Sequence, residues 1–183
     1  NGQVFLGNPN GIVVGANGVV NVQGGFVAST QNLSDSAFMQ GGAITLSGEN
    51  TGTIQILGTV STPNGDVTII APKIGIGADA KLSAGNAIQL VAANTVTLSN
   101  GQFTVIPTAG DAGEMAVDGV LSAARVQLAA ANNNLGALAI NTRGTIRATG
   151  TQSNPDGSIS IVAQGQGGNA AISGSLAARN ADG

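Results

Sequence analysis

The sequence predicts an all-β chain wound as a right-handed parallel β-helix, and three observations carry that expectation. The first is a recurring pattern of Gly or Ala, any residue, an aliphatic, any residue, then Thr or Ala. It reads Gly58-Thr59-Val60-Ser61-Thr62, Ala80-Lys81-Leu82-Ser83-Ala84, Gly119-Val120-Leu121-Ser122-Ala123, Gly144-Thr145-Ile146-Arg147-Ala148 and Gly174-Ser175-Leu176-Ala177-Ala178. The copies are offset by 22, 39, 25 and 30 residues. That spacing suits a unit of roughly 20–25 residues with one copy blurred and some loops longer.

The second observation is strict alternation, two aliphatics flanking one exposed position. It appears at Ile44-Thr45-Leu46, Ile54-Gln55-Ile56, Val67-Thr68-Ile69, Ile88-Gln89-Leu90, Val96-Thr97-Leu98, Val126-Gln127-Leu128, Leu138-Ala139-Ile140 and Ile159-Ser160-Ile161. Such alternation with β-branched enrichment is the signature of a strand with one buried face. The third is composition: 29 Gly in 183 residues and 8% charged residues, against usual shares of ~7% and ~25%. Side chains stacked on successive coils sit only ~4.8 Å apart, so like charges repel in every ladder while Thr, Gln, Ser and Asn can pair by hydrogen bonds. About eight coils would give a rod on the order of 40 Å long. An antiparallel sandwich shares the alternation, but it favours two-residue hairpins between matched strands, and few Asn-Gly or Asp-Gly pairs here are placed to form them.

Taken in order, Val4-Phe5-Leu6 reads as a buried strand and Asn8-Pro9-Asn10-Gly11 as a tight turn returning to the strand Ile12-Val13-Val14. Pro9 presets its own φ, Gly11 accepts positive φ, and the Asn8 and Asn10 side chains can bond the local backbone. Further turns are read at Pro63-Asn64-Gly65, Asn132-Asn133-Asn134, Asn154-Pro155-Asp156-Gly157 and Gly165-Gln166-Gly167-Gly168. Residues 118–131 fit either a capped helix, with Leu121, Ala124, Arg125 and Leu128 at helical spacing, or two strands. The register of Gly119-Val120-Leu121-Ser122-Ala123 favours the strands. Residues 1–41 form a unit poorer in repeat, and residues 42–183 continue from it as β-helix repeats.

The same composition narrows the chemistry. There is no His, Cys, Trp or Tyr, which removes thiolate and imidazole catalysis, disulfides, and the usual zinc and iron ligand sets. A net charge of −3 with six scattered Lys and Arg leaves no electrostatic footprint for nucleic acid. No run of apolar residues is long enough to span a membrane, and Asn1-Gly2-Gln3 is not the start of a signal peptide, so a leader for export is expected upstream. Carboxylates are the remaining catalytic option. Asp111 and Glu114 lie three apart in a Gly-rich loop and Asp118 follows, but without aromatic platforms the loop Asp111 to Glu114 reads as a solvated excursion from a corner rather than a glycan-cleaving site. The calcium-binding Gly-rich tandem repeat is missing there. Asn32-Leu33-Ser34 is a glycosylation sequon by spacing that reads better as the start of a turn. Arg143 and Arg147 could grip an anionic sugar but read better as a solvated face. The expectation is a protein that is not an enzyme and uses no cofactor or metal.

The segment Asn8-Pro9-Asn10-Gly11-Ile12, directly after Val4-Phe5-Leu6, resembles the hallmark of the secretion domain of two-partner secretion exoproteins of the filamentous haemagglutinin type. Gly24-Gly25-Phe26-Val27-Ala28-Ser29-Thr30 resembles a second element of that family, and Gln31 to Phe38 also fits its pattern. The family's earlier Asn-Pro-Asn-Leu motif is not in the chain, so the chain reads as entering the domain part-way. The resemblance implies export through an outer-membrane β-barrel transporter and progressive folding at the surface of a Gram-negative cell. It makes Asn8, Pro9, Asn10, Gly11 and Ile12 the candidate secretion motif, although each also has a local task in holding the turn. It further implies a secreted or surface-exposed filamentous adhesin whose partners are host or bacterial glycans or proteins. The stalk of a contact-dependent toxin-delivery protein and an extracellular filament assembled end to end share the same features.

Overall fold

A strand with one apolar face needs neighbours on both edges, and in this chain the neighbours are the turns before and after it. The computed structural model describes residues 2–31, 44–47, 51–99, 102–105, 111–135, 137–151 and 156–181, and over them the chain is a parallel β-helix. The first coil comprises β1 (Gln3–Gly7), β2 (Ile12–Val14) and β3 (Val19–Asn21). The second holds β4 (Gly25–Ser29), then β5 (Ile44–Ser47) outside the coil, then β6 (Thr53–Ile56) and β7 (Thr59–Thr62). The third is β8 (Val67–Ala71), β9 (Lys73–Ile76) and β10 (Lys81–Ala84). The fourth starts with β11 (Ala87–Ala92), leaves the coil as β12 (Thr95–Ser99) and β13 (Gln102–Val105), and returns as β14 (Glu114–Val117) and β15 (Val120–Ala123). The fifth is β16 (Arg125–Ala131), β17 (Ile140–Thr142) and β18 (Thr145–Thr149), and the sixth is β19 (Ser158–Gln164), β20 (Ala170–Ile172) and β21 (Ser175–Arg179).

Three parallel sheets result. Sheet A is ordered β1-β4-β8-β11-β16-β19, sheet B β2-β6-β9-β14-β17-β20, and sheet C β3-β7-β10-β15-β18-β21. Parallel pairing throughout these sheets is incompatible with the sandwich. Residues 118–131 form the strands β15 and β16, as the repeat register required.

The coil count differs from the expected eight: each sheet has six strands among the described residues, which at ~4.8 Å per rung spans roughly 24 Å. The surplus chain is in two excursions that meet outside the coil as an antiparallel sheet, β13-β12-β5. Ile44-Thr45-Leu46 and Val96-Thr97-Leu98 therefore belong to this outer sheet rather than to coils, because alternation reports one buried face but not which sheet buries it. The 39-residue offset likewise hides no blurred copy. Ala80 and Gly119 lie on adjacent rungs, with the Val120 amide donating to the Ala80 carbonyl at 2.9 Å. The five pattern copies form one corner column leading into sheet C. Gly is used there because rungs approach closely: a Cβ on Gly144 would stand 2.1 Å from the Gly119 carbonyl oxygen.

The interior is built from ladders of like residues. Ile12, Ile54, Ile74, Met115 and Ile140 stack down sheet B, and Val67, Ile88 and Val126 down sheet A. All are buried in one core, each contributing about 1.5–3 kcal/mol by removal from water. A second apolar layer of Leu46, Ile70, Val91, Ala93, Val96, Ala129 and Ala131 lies where the outer sheet covers part of sheet A. Leu138-Ala139-Ile140 is not one alternating strand: β17 begins at Ile140, and Leu138 faces solvent.

Val4-Phe5-Leu6 forms β1 as expected, yet it is not buried. These three side chains are 45%, 42% and 42% exposed, because β1 ends sheet A and has a neighbour on one side only.

Candidate functional site

The turn Asn8–Gly11 joins β1 to β2, so it is a corner between sheets A and B rather than a hairpin return. The Gly11 amide donates to the Asn8 carbonyl at 3.1 Å, closing the turn over Pro9 and Asn10. The Asn8 Oδ1 accepts from the Asn10 amide at 3.1 Å, the Asx arrangement expected from the sequence. Gly11 has φ +119°, and a Cβ on it would stand 2.9 Å from the Thr53 carbonyl oxygen. Ile12, in contrast, is buried as the first inward residue of β2.

The turn is anchored to the second candidate element. β4 pairs with β1, matching Gly7 to Ser29, and the Asn8 amide donates to the Ser29 carbonyl at 3.0 Å. The Ser29 Oγ accepts from the Gln31 amide at 3.0 Å, and the Gln31 Nε2 donates to the Ala93 carbonyl at 2.8 Å. Ser29, Thr30 and Gln31 are all buried. A continuous path thus runs from the exposed turn to the point where the second excursion leaves the coil. Sequence reasoning missed Gln31 as a buried brace. Its only signal was an uncharged amide just after an apolar strand, a position with many surface counterparts.

Asn8, Pro9 and Asn10 are exposed while their backbone is held. The first charged residue of the chain is Asp35, so the described surface of the turn and of β1 to β4 carries no side-chain charge. Val4, Phe5, Leu6, Val13 and Val19 supply exposed apolar surface on the same coil.

The other candidates resolve differently. Asp111 is not solvated but buried, its Oδ1 accepting from the Asn94 amide at 3.3 Å. Glu114 opens β14 and pairs with Lys73 on the adjacent rung at 3.5 Å. Asp118 binds Arg143 through both carboxylate oxygens, which lowers its pKa from the ordinary value, chiefly through the hydrogen bond. The three carboxylates are thus separately engaged. Arg143 is committed to Asp118, while Arg147 projects from β18, so the two do not form one anion grip. Among the described residues no group of three or more Asp and Glu could hold a metal ion. Among the described residues no helix is long and apolar enough to cross a membrane. The sequon Asn32-Leu33-Ser34 and most of the segment Gln31 to Phe38 lie outside the described residues.

Comparison with known proteins agrees with this architecture. The crystal structure of the HMW1 secretion domain from Haemophilus influenzae matches with a TM-score of 0.56 and 23% identity, over 82% of this chain and 47% of that one. That is a likeness of fold, and this chain spans about half the length of that relative. No curated protein sequence matches the chain. The family described as TPS secretion domain matches residues 1–180. The chain therefore belongs to the TPS secretion domain family, that of two-partner secretion exoproteins.

Proposed function

We propose that this chain directs export of the polypeptide it belongs to, by presenting the corner Asn8–Ile12 to an outer-membrane β-barrel transporter. Family membership supports a secreted product and a transporter partner. The observation that carries the role of the turn is its combination of exposed side chains with a backbone held by Ser29 and by its own Asx bond. A partner meeting such a preorganised turn loses little entropy in ordering it. The exported product is read as a surface-displayed filamentous adhesin of a Gram-negative cell, its coils a stiff spacer for regions that bind host or bacterial glycans or proteins. The role is binding and folding, not catalysis. The separate engagement of Asp111, Glu114 and Asp118 supports that reading.

The test measures export and folding together in cells carrying the transporter. Asn8→Ala is expected to reduce export while the circular dichroism spectrum and melting temperature of the purified chain stay unchanged. Ile146→Ala, which opens the core in the fifth coil, four rungs from the turn, is expected to lower stability yet leave export less affected. Unchanged export of Asn8→Ala, or export that tracks stability alike in both variants, overturns the role of the turn.

A further inference from the structure

The sequence scatters its cations, but the fold does not. Lys73 and Arg143 are paired with Glu114 and Asp118 on neighbouring rungs. Of the remaining four, three point outward from sheet C: Lys81 on β10, Arg147 on β18 and Arg179 on β21. All three are exposed and have no ion-pair partner among the described residues. Their positions follow from pairing: Ser83 stacks on Ser122, Ser122 on Arg147, and Thr149 on Arg179. At ~4.8 Å per rung, Lys81 and Arg147 are roughly 10 Å apart along the rod axis and, two positions apart along the strand, about 7 Å apart across it; Arg179 continues the oblique series one rung and two positions further.

We propose that the outward face of sheet C binds a linear anionic polysaccharide. No carboxylate occupies an outward position on any strand of this sheet. Between the cations the face carries hydroxyls, with Ser61, Ser83 and Ser122 forming one ladder of adjacent rungs. Cations for acidic groups and hydroxyls for sugar oxygens, stepping together across the rungs, suit a sugar chain crossing the face obliquely to the axis. The strip has no aromatic side chain for base stacking, which single-stranded nucleic acid binding relies on. The carboxylates nearest to it are at corners. Asp79 and Asp118 precede β10 and β15, Asp66 and Asp156 precede β8 and β19, and Asp118 is neutralised by Arg143. Because the whole chain carries −3, attraction to a polyanion has to come from this face rather than from bulk charge. This inference does not depend on the export role.

The test is retention of the intact chain, at low ionic strength, on immobilised dextran sulfate and on polygalacturonate, which separate sulfate from carboxylate recognition. Neutral dextran and an oligothymidylate serve as comparisons. Retention on at least one acidic glycan is expected, reversed by salt. Arg147→Gln with Arg179→Gln should weaken it about tenfold. Lys73→Gln with Arg125→Gln removes the same charge from sheets B and A and should weaken it far less. The proposal is overturned if the chain is not retained, if neutral dextran retains it equally, if the two double variants lose retention alike, or if oligothymidylate binds more tightly. Matched circular dichroism spectra of both variants ensure that the comparison reads the face and not unfolding.

Discussion

Arg143 donates to both carboxylate oxygens of Asp118, Nε to Oδ1 and Nη2 to Oδ2, each at 2.9 Å. The pair links the corner before β15 to the corner before β18 and so ties the fourth coil to the fifth. Asp118 therefore ionises below its ordinary value of 3.8, the hydrogen bond being the main cause, with partial burial opposing it and the positive charge of Arg143 adding to it. A carboxylate with a depressed folded-state pKa adds stability that is complete above its unfolded value and is lost as pH falls through the folded one. Asp118→Asn is expected to melt lower than the parent near neutral pH, and the gap should close as pH falls below the carboxylate range. Thermal melts across that range check this; a gap constant with pH sinks it.

Thr142 stacks between Val117 and Ile172 inside the coil, fully buried, and its Oγ1 has no hydrogen-bond partner among the described residues. Thr142→Val keeps the shape and removes the unsatisfied group. A gain of about 1 kcal/mol, or a rise of roughly 2–4 °C in melting temperature, is expected. Loss of stability would mean that the hydroxyl has a partner.

Core and edge should separate sharply. Ile74→Ala removes atoms from the central interior ladder, where Ile74 is 3% exposed, and should cost about 2–5 kcal/mol. Val19 is 72% exposed on β3, and Val19→Ala should stay within about 0.5 kcal/mol. Urea midpoints of the two variants test the assignment, and equal shifts would contradict it.

Gly144→Ala would push a Cβ against the Gly119 carbonyl oxygen, which is 2.1 Å away. A loss above about 2 kcal/mol is expected, since rungs this close cannot separate without straining their pairing. Gly75 faces outward, its would-be Cβ 3.9 Å from the Gln55 side chain, and Gly75→Ala should change stability by less than about 0.5 kcal/mol. Comparable losses in both would mean that glycine serves flexibility here rather than clearance.

How much of this was legible depended on distance along the chain. The corner column Gly58, Ala80, Gly119, Gly144 and Gly174 could be read because each copy repeats the same local requirement, and the structure stacks all five. The turn at Asn8–Gly11 was legible too, since Asx bonding and positive φ act within four residues. The brace from Ser29 through Gln31 to Ala93 was not, because its last bond joins residues 62 positions apart.

The sequence by itself determined the strands, their inward faces, the corners and the near absence of charge, all set by neighbours one to four residues away. Only the tertiary structure decided that the described residues form six coils and that two excursions form a separate antiparallel sheet. It also decided that cations at positions 81, 147 and 179 share one face. The reason is physical: alternation states that one side of a strand is covered, while the identity of the cover depends on which distant segment arrives at that rung.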